Sequence, residues 1–117
     1  MKYLNYGLVN ISIPNLIEKS HHVINQMTRN PHFPDPFPSL IEIETCVNDL
    51  ASLNEKVNQG NINLLIKLQD RFVRLKKSMI LLGTFVAIKS EGNESVVLSS
   101  GFTVSENQEC HEDLVII

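Results

Sequence analysis

Residues 65–87 read LIKLQDRFVRLKKSMILLGTFVA, and their apolar positions recur with the period of a helix. One line of apolar residues alternates at spacings of three and four: Leu65, Leu68, Phe72, Leu75, Met79, Leu82 and Val86. This spacing is typical of the seam of a helical bundle. We therefore predict one long helix from about Asn61 to Lys89. Gly83 costs about 1 kcal/mol relative to alanine inside a helix, so it indicates a close crossing or a bend.

A second apolar line runs beside this seam and recurs every seven residues: Ile66, Val73, Ile80 and Ala87. At 1.5 Å per residue the predicted helix runs roughly 44 Å, against about 25 Å for the first helix of the chain. Part of it should therefore project beyond its neighbours, and we predict self-association or a helical partner there. The alternative is that the long helix is central and buries both lines internally.

Two shorter helices precede the long one. The first is predicted from Ile13 to Arg29, with Pro14 tolerated in its first turn. The second starts at the capping box Ser39–Glu42 and ends at Gly60. Its predicted buried stripe consists of Ile43, Cys46, Val47, Leu50, Leu53 and Val57.

The connector between these helices holds four of the five prolines, within residues 31–38. Each proline fixes its own φ and disfavours helix at the residue before it, so the segment should be extended. Phe33 and Phe37 are expected to lie back on the core. They are also our candidates, with the second apolar line, for contacts to a partner.

Residues 91–93 break the long helix. Asn93 is placed to cap a short helical turn through Leu98 that stops at Gly101, although the valines at positions 96 and 97 also allow a strand. The predicted fold is an all-α, small helical bundle of three long helices plus a short fourth helical turn. It divides into an irregular lead-in (1–12), the bundle (13–103) and a polar tail (104–117). The apolar end of that tail, Leu114–Ile117, either docks on the bundle or is the stub of a longer protein.

Charge argues against a nucleic-acid partner. The 117 residues include 10 basic and 13 acidic side chains, a net charge of −3, whereas nucleic-acid binding needs a concentrated basic surface. One basic face stands out on the long helix, formed by Lys67, Arg71, Arg74, Lys76 and Lys77. It supports an alternative function, a small regulatory or nucleic-acid-associated protein. No signal peptide or membrane span is visible, so the default expectation is cytoplasmic.

The sequence indicates no catalytic site, metal or cofactor. The neighbours His21 and His22 point in different directions on a helix, which suits surface positions better than shared ligation. Cys110 and His111 are metal-ligating residue types, but a second ligand pair at zinc-site spacing is missing. Cys46 and Cys110 are read as lone thiols, with a disulfide between them as the alternative. Four helical carboxylates are expected to be solvated: Glu42, Glu44, Asp49 and Asp70.

Two segments together resemble a known family. Residues 27–36, MTRNPHFPDP, are similar to an MT-x-N-x-x-F-P-x-P stretch, and residues 98–102 read LSSGF. The pair resembles a helical module of bacterial proteins often found ahead of a fibronectin type III domain. The resemblance implies a helical fold, with prolines that turn the chain and glycines that stop helices, and no enzymatic activity. The chain departs from the pattern by ending soon after Phe102, without room for the fibronectin domain.

From these observations we expect a non-enzymatic structural or protein-interaction module that acts through helical surfaces. Its partner is expected to be another protein or a second copy of the chain.

Overall fold

The computed structural model describes residues 3–105, and these fold mainly as helices. The helices are α1 (Ile13–Met27), α2 (Leu40–Asn58), α3 (Leu65–Ser90) and α4 (Glu94–Ser99), with a 3₁₀ turn at Ile62–Leu64 leading into α3. Two short strands, β1 (Tyr3–Asn5) and β2 (Thr103–Ser105), pair antiparallel with Leu4 opposite Val104. The predicted all-α bundle of three long helices and a short fourth is confirmed.

Helix α2 lies in the middle of the bundle. It packs against α1 on one side and α3 on the other, while α1 and α3 contact each other little. The predicted stripe of α2 supplies the centre of the core through Ile43, Val47 and Leu50, each fully buried. The molecule is elongated, 46 × 30 × 20 Å, because α3 is much longer than its neighbours.

The ends of α2 follow the local sequence signals. At its start the Oγ atom of Ser39 accepts a hydrogen bond from the backbone N–H of Glu42, at 3.2 Å. At its end Gly60 has φ +108°, and the N–H of Asn61 bonds back to the carbonyl of Lys56 at 3.1 Å. This reversal needs a left-handed residue, which glycine adopts without a Cβ clash. It turns the chain within three residues, so α2 and α3 are antiparallel neighbours.

The other helix limits differ slightly from expectation. Helix α1 ends at Met27, two residues before the predicted Arg29, because Thr28 is extended and Arg29 has φ +60°. Residues 94–99 form a helix and not the alternative strand, since the Asn93 side chain accepts from the N–H of Val96 at 3.4 Å.

The lead-in is not irregular throughout. Residues 3–5 form β1, and Leu8 is only 3% exposed and belongs to the core. The strand partner, β2, includes Val104 and Ser105, which begin the segment predicted as a polar tail. A pairing between the two ends of the bundle depends on the tertiary fold, and strands of three residues are too short to show a period.

The lead-in also explains Gly83. A Cβ atom at this position would lie 2.6 Å from Cε1 of Tyr6, so the ring packs directly on the helix backbone. The hydroxyl of Tyr6 is hydrogen bonded to Oγ1 of Thr84 at 2.9 Å. Of the two predicted roles, a close crossing is the one observed, and Tyr6 makes it.

The two phenylalanines of the proline connector differ in burial. Phe33 is 1% exposed, and its ring centroid lies 6.2 Å from that of Phe85 on α3. Phe37 is 67% exposed, so the prediction that both rings lie on the core is wrong for Phe37. Pro38, the residue after Phe37, is buried instead.

Candidate functional site

The outer face of α3 changes character along the helix. From Leu75 onward most turns of α3 contribute a buried residue, including Met79, Leu82 and Val86. Between residues 65 and 74 only Leu68 is buried. The N-terminal part of α3 therefore buries Leu68, half-buries Arg71 and Phe72, and leaves its other residues exposed.

The second apolar line is divided by this change. Ile66 is 86% exposed and Val73 39% exposed, whereas Ile80 is 2% exposed and part of the core. Ala87 is exposed and borders a cleft beside β1. The line therefore cannot act as one continuous contact surface. Ile80 and the buried Phe33 are removed from the candidate residues, because neither side chain reaches the molecular surface.

The exposed apolar residues at the start of α3 are Ile62, Leu65, Ile66 and Val73, which we call the α3 patch. Ile62 and Ile66 are one turn apart, and Val73 follows Ile66 by two turns on nearly the same side. Leu65 flanks Ile66 and is 44% exposed, although its spacing had placed it in the buried seam. Four large apolar side chains thus gather at the start of α3 and on the 3₁₀ turn before it.

Basic residues surround the α3 patch. Within residues 61–77 the sequence has five lysines and arginines and a single carboxylate, Asp70. Lys67 and Lys77 are exposed on α3 on either side of Val73. Lys76 is half-buried, with its Nζ atom 4.5 Å from the centroid of the Phe72 ring.

Two of the five basic residues are held by carboxylates. Arg71 donates from Nε to Oδ2 of Asp49 at 2.7 Å and from Nη1 to Oδ2 of Asp70 at 2.6 Å. Arg74 contacts the same Asp70 oxygen at 3.1 Å. The pKa of Arg71 is raised above its ordinary value, chiefly by the hydrogen bond to Asp49. These contacts tie α3 to α2, and they reduce the charge that the basic face can offer to phosphate groups.

The structure brings two of the candidate carboxylates together, but not in the way that acid–base catalysis requires. Asp49 and Asp70 share Arg71, and both side chains are close to half exposed. A catalytic pair needs desolvation that splits the two pKa values. Here both carboxylates are solvated and paired with arginine, so the arrangement serves as an ion-pair link between helices.

The remaining candidate ligands are scattered. His21 and His22 are both exposed on α1, and Cys46 is a half-buried free thiol against the core. Cys110 and His111 lie outside the described residues. Among residues 3–105 no three histidine, cysteine or acidic side chains are grouped as a metal site would require. Within the same range no helix is both long and apolar enough to span a membrane.

A cleft of about 270 Å³ opens between β1 and the end of α3. It is lined by Tyr3, Leu4, Ala87, Ser90, Gly92, Glu94, Val97 and Val104. Glu94 supplies the one carboxylate among these described lining residues. They include no histidine or cysteine and no second carboxylate that could divide acid and base roles with Glu94.

Sequence reasoning missed part of the exposed apolar surface. Ile62 falls inside the predicted long helix but in neither of its apolar lines, Leu65 is a member of the predicted seam, and Ile41 is not among the candidate residues. Ile41 is 78% exposed at the start of α2, on the side opposite the buried stripe. The sequence could have identified it from its position relative to the stripe Ile43, Val47 and Leu50. An apolar residue on the opposite side of a helix from the buried stripe does not pack in the core and is therefore a candidate for a surface contact.

Comparisons with known proteins add no assignment: no protein-family model, no curated protein and no solved structure matches the chain. The resemblance to the module that precedes fibronectin domains stays a prediction.

Proposed function

We propose that the chain is a non-enzymatic, self-associating interaction module that binds through the α3 patch. The observation that carries the proposal is the gathering of four exposed apolar side chains at the start of α3 and on the 3₁₀ turn before it. Single exposed apolar residues are common on protein surfaces, but a contiguous group tends to mark an interaction site.

The fold gives these residues no internal role. Leu68, Leu75 and Met79 already form the buried face of α3 towards α2. Removing a large aliphatic side chain such as Ile66 from water is worth about 1.5–3 kcal/mol. Covering the patch with a partner would therefore contribute a favourable free energy that the folding of a single copy does not.

The test is sedimentation velocity of the wild-type chain over a wide concentration range, beside Ile66→Asp. We expect the average mass of the wild type to rise with concentration. Ile66→Asp should weaken association by about tenfold or more, since a charge at the centre of an apolar contact costs over a kilocalorie per mole. The substituted residue is 86% exposed, so the variant should fold normally.

Val9→Asp is the matched control. Val9 is 51% exposed and lies in the loop between β1 and α1, outside the α3 patch. The Val9→Asp variant should associate as the wild type does. A wild-type chain that stays monomeric up to millimolar concentration would show that the proposal is wrong.

A further inference from the structure

A second exposed apolar surface lies at the start of α2. Phe37 is 67% exposed and Ile41 is 78% exposed. Glu42 and Glu44 are exposed beside Ile41 on the first turns of α2. We call Phe37, Ile41, Glu42 and Glu44 the α2 patch.

The two patches have opposite charge. Residues 30–45 contain three carboxylates and no lysine or arginine, and they include the whole α2 patch. Residues 61–77, which include the whole α3 patch, contain five lysines and arginines and one carboxylate, and the two arginines pair with Asp49 and Asp70. Each patch thus combines exposed apolar side chains with charges of one sign, and the signs are complementary.

The patches also lie at opposite ends of the bundle. Helices α2 and α3 are antiparallel, so the start of α2 is level with the end of α3 and the start of α3 with the end of α2. The long dimension of the molecule is 46 Å. One copy therefore cannot bring its own two patches into contact, but two copies can.

Symmetric contacts are disfavoured by the same charges. An α3 patch against an α3 patch would bring Lys67 and Lys77 of both copies together, and an α2 patch against its like would oppose glutamates. Juxtaposed like charges cost binding energy, whereas an α3 patch against an α2 patch pairs lysines with glutamates.

We propose that copies of this chain associate head to tail, with the α3 patch of one copy bound to the α2 patch of the next. This inference rests on the proposed function and names the surface that the α3 patch binds. A contact between two different surfaces leaves one of each unused on every dimer. Association therefore continues into longer chains, or into a ring if the rotation between copies closes.

The test is complementation between two variants of the full chain, Ile66→Asp and Ile41→Asp. Ile66→Asp keeps the α2 patch intact, and Ile41→Asp keeps the α3 patch intact. An identical copy therefore lacks the intact patch of the other kind that each variant would need to bind. Alone, each should remain monomeric at concentrations where the wild type forms oligomers. Mixed in equal amounts, they should form a dimer and nothing larger, as measured by light scattering after size exclusion.

A control and a reserve pair support this design. Val9→Asp should oligomerise as the wild type does and should not be limited to a dimer. If either aspartate variant has lost its helical circular dichroism, Ile66→Gln and Ile41→Gln replace the pair with milder changes. Raising the salt concentration should weaken the complementing dimer, because its contact joins charges of opposite sign.

The outcomes separate the inference from the proposal beneath it. If Ile41→Asp associates as the wild type does while Ile66→Asp does not, the α3 patch binds its own copy and the head-to-tail inference is wrong. If the mixed variants stay monomeric although the wild type oligomerises, the inference is also wrong. A monomeric wild type overturns both.

Discussion

The two halves of α3 carry the same apolar repeat but lie in different surroundings. In the C-terminal half, α2 packs on one side and the lead-in packs on another, where Tyr6 lies on Gly83 and Leu4 approaches within 3.3 Å of a Cβ built there. In the N-terminal half, α2 covers the seam and nothing among the described residues covers Ile66. Ile80 and Ile66 belong to one line, yet one is buried and the other is 86% exposed.

The difference shows what a repeat can indicate. A spacing of seven tells which residues share a side of a helix, and it does not tell what lies opposite that side. In the C-terminal half, Gly83 is covered by Tyr6 and Leu4, which are far from α3 in the sequence. The same pattern therefore supports a core in one half and, in our proposal, an interface in the other.

The largest expected effect comes from placing a charge in the covered half. Ile80→Asp buries an unpaired carboxylate at a position that is 2% exposed, and it should destabilise the fold by about 3–5 kcal/mol. Val73→Asp, seven residues earlier on the same line, should cost about 1 kcal/mol or less because it is partly exposed. Urea titration of both variants measures the contrast. Equal losses at the two positions would contradict the division of α3 into two halves.

A smaller effect is expected where the lead-in crosses α3. Gly83→Ala places a methyl group 2.6 Å from the Tyr6 ring. Overpacking costs about 1–3 kcal/mol, and the better helix propensity of alanine returns about 1 kcal/mol. We expect a net loss of about 1 kcal/mol in the free energy of unfolding.

The background of Tyr6→Ala provides the control for this crossing. Without the ring, Gly83→Ala should become neutral or stabilising, because only the gain in helix propensity remains. A double-mutant cycle by urea titration tests the change of sign. Additive effects would mean that Tyr6 does not make the close crossing.

The sequence predicted the features that depend on neighbouring residues. Ser39, Gly60 and Asn93 each act within three or four positions, and the structure confirms the helix ends that they indicated. It did not predict β1 or the exposure of Phe37, and it left the burial of Ile80 as one of two alternatives, because each depends on tertiary packing. The candidate site was predicted in part: Ile66 and Val73 are exposed, but Ile62, Leu65 and Ile41 were not identified.

The smallest effect concerns the helix starts at the two ends of the bundle. Ser39→Ala removes the hydrogen bond from Glu42 at the start of α2 and should cost about 1 kcal/mol. Asn61→Ala precedes the 3₁₀ turn before α3, where the Asn61 side chain makes no capping bond. It should change stability by less than about 0.5 kcal/mol. Thermal unfolding measures the loss of stability in both variants. A loss at Asn61 similar to that at Ser39 would mean that the Asn61 side chain does cap the start of α3.

The central claim is that the N-terminal half of α3 is the part of the helix that another copy covers. Hydrogen–deuterium exchange with mass spectrometry tests it directly on the wild-type chain, at a low and a high protein concentration. We predict that peptides from residues 65–77 exchange more slowly at high concentration, while those from 78–90 are unchanged because they lie outside the α3 patch. Exchange in residues 65–77 that is the same at both concentrations would contradict the account.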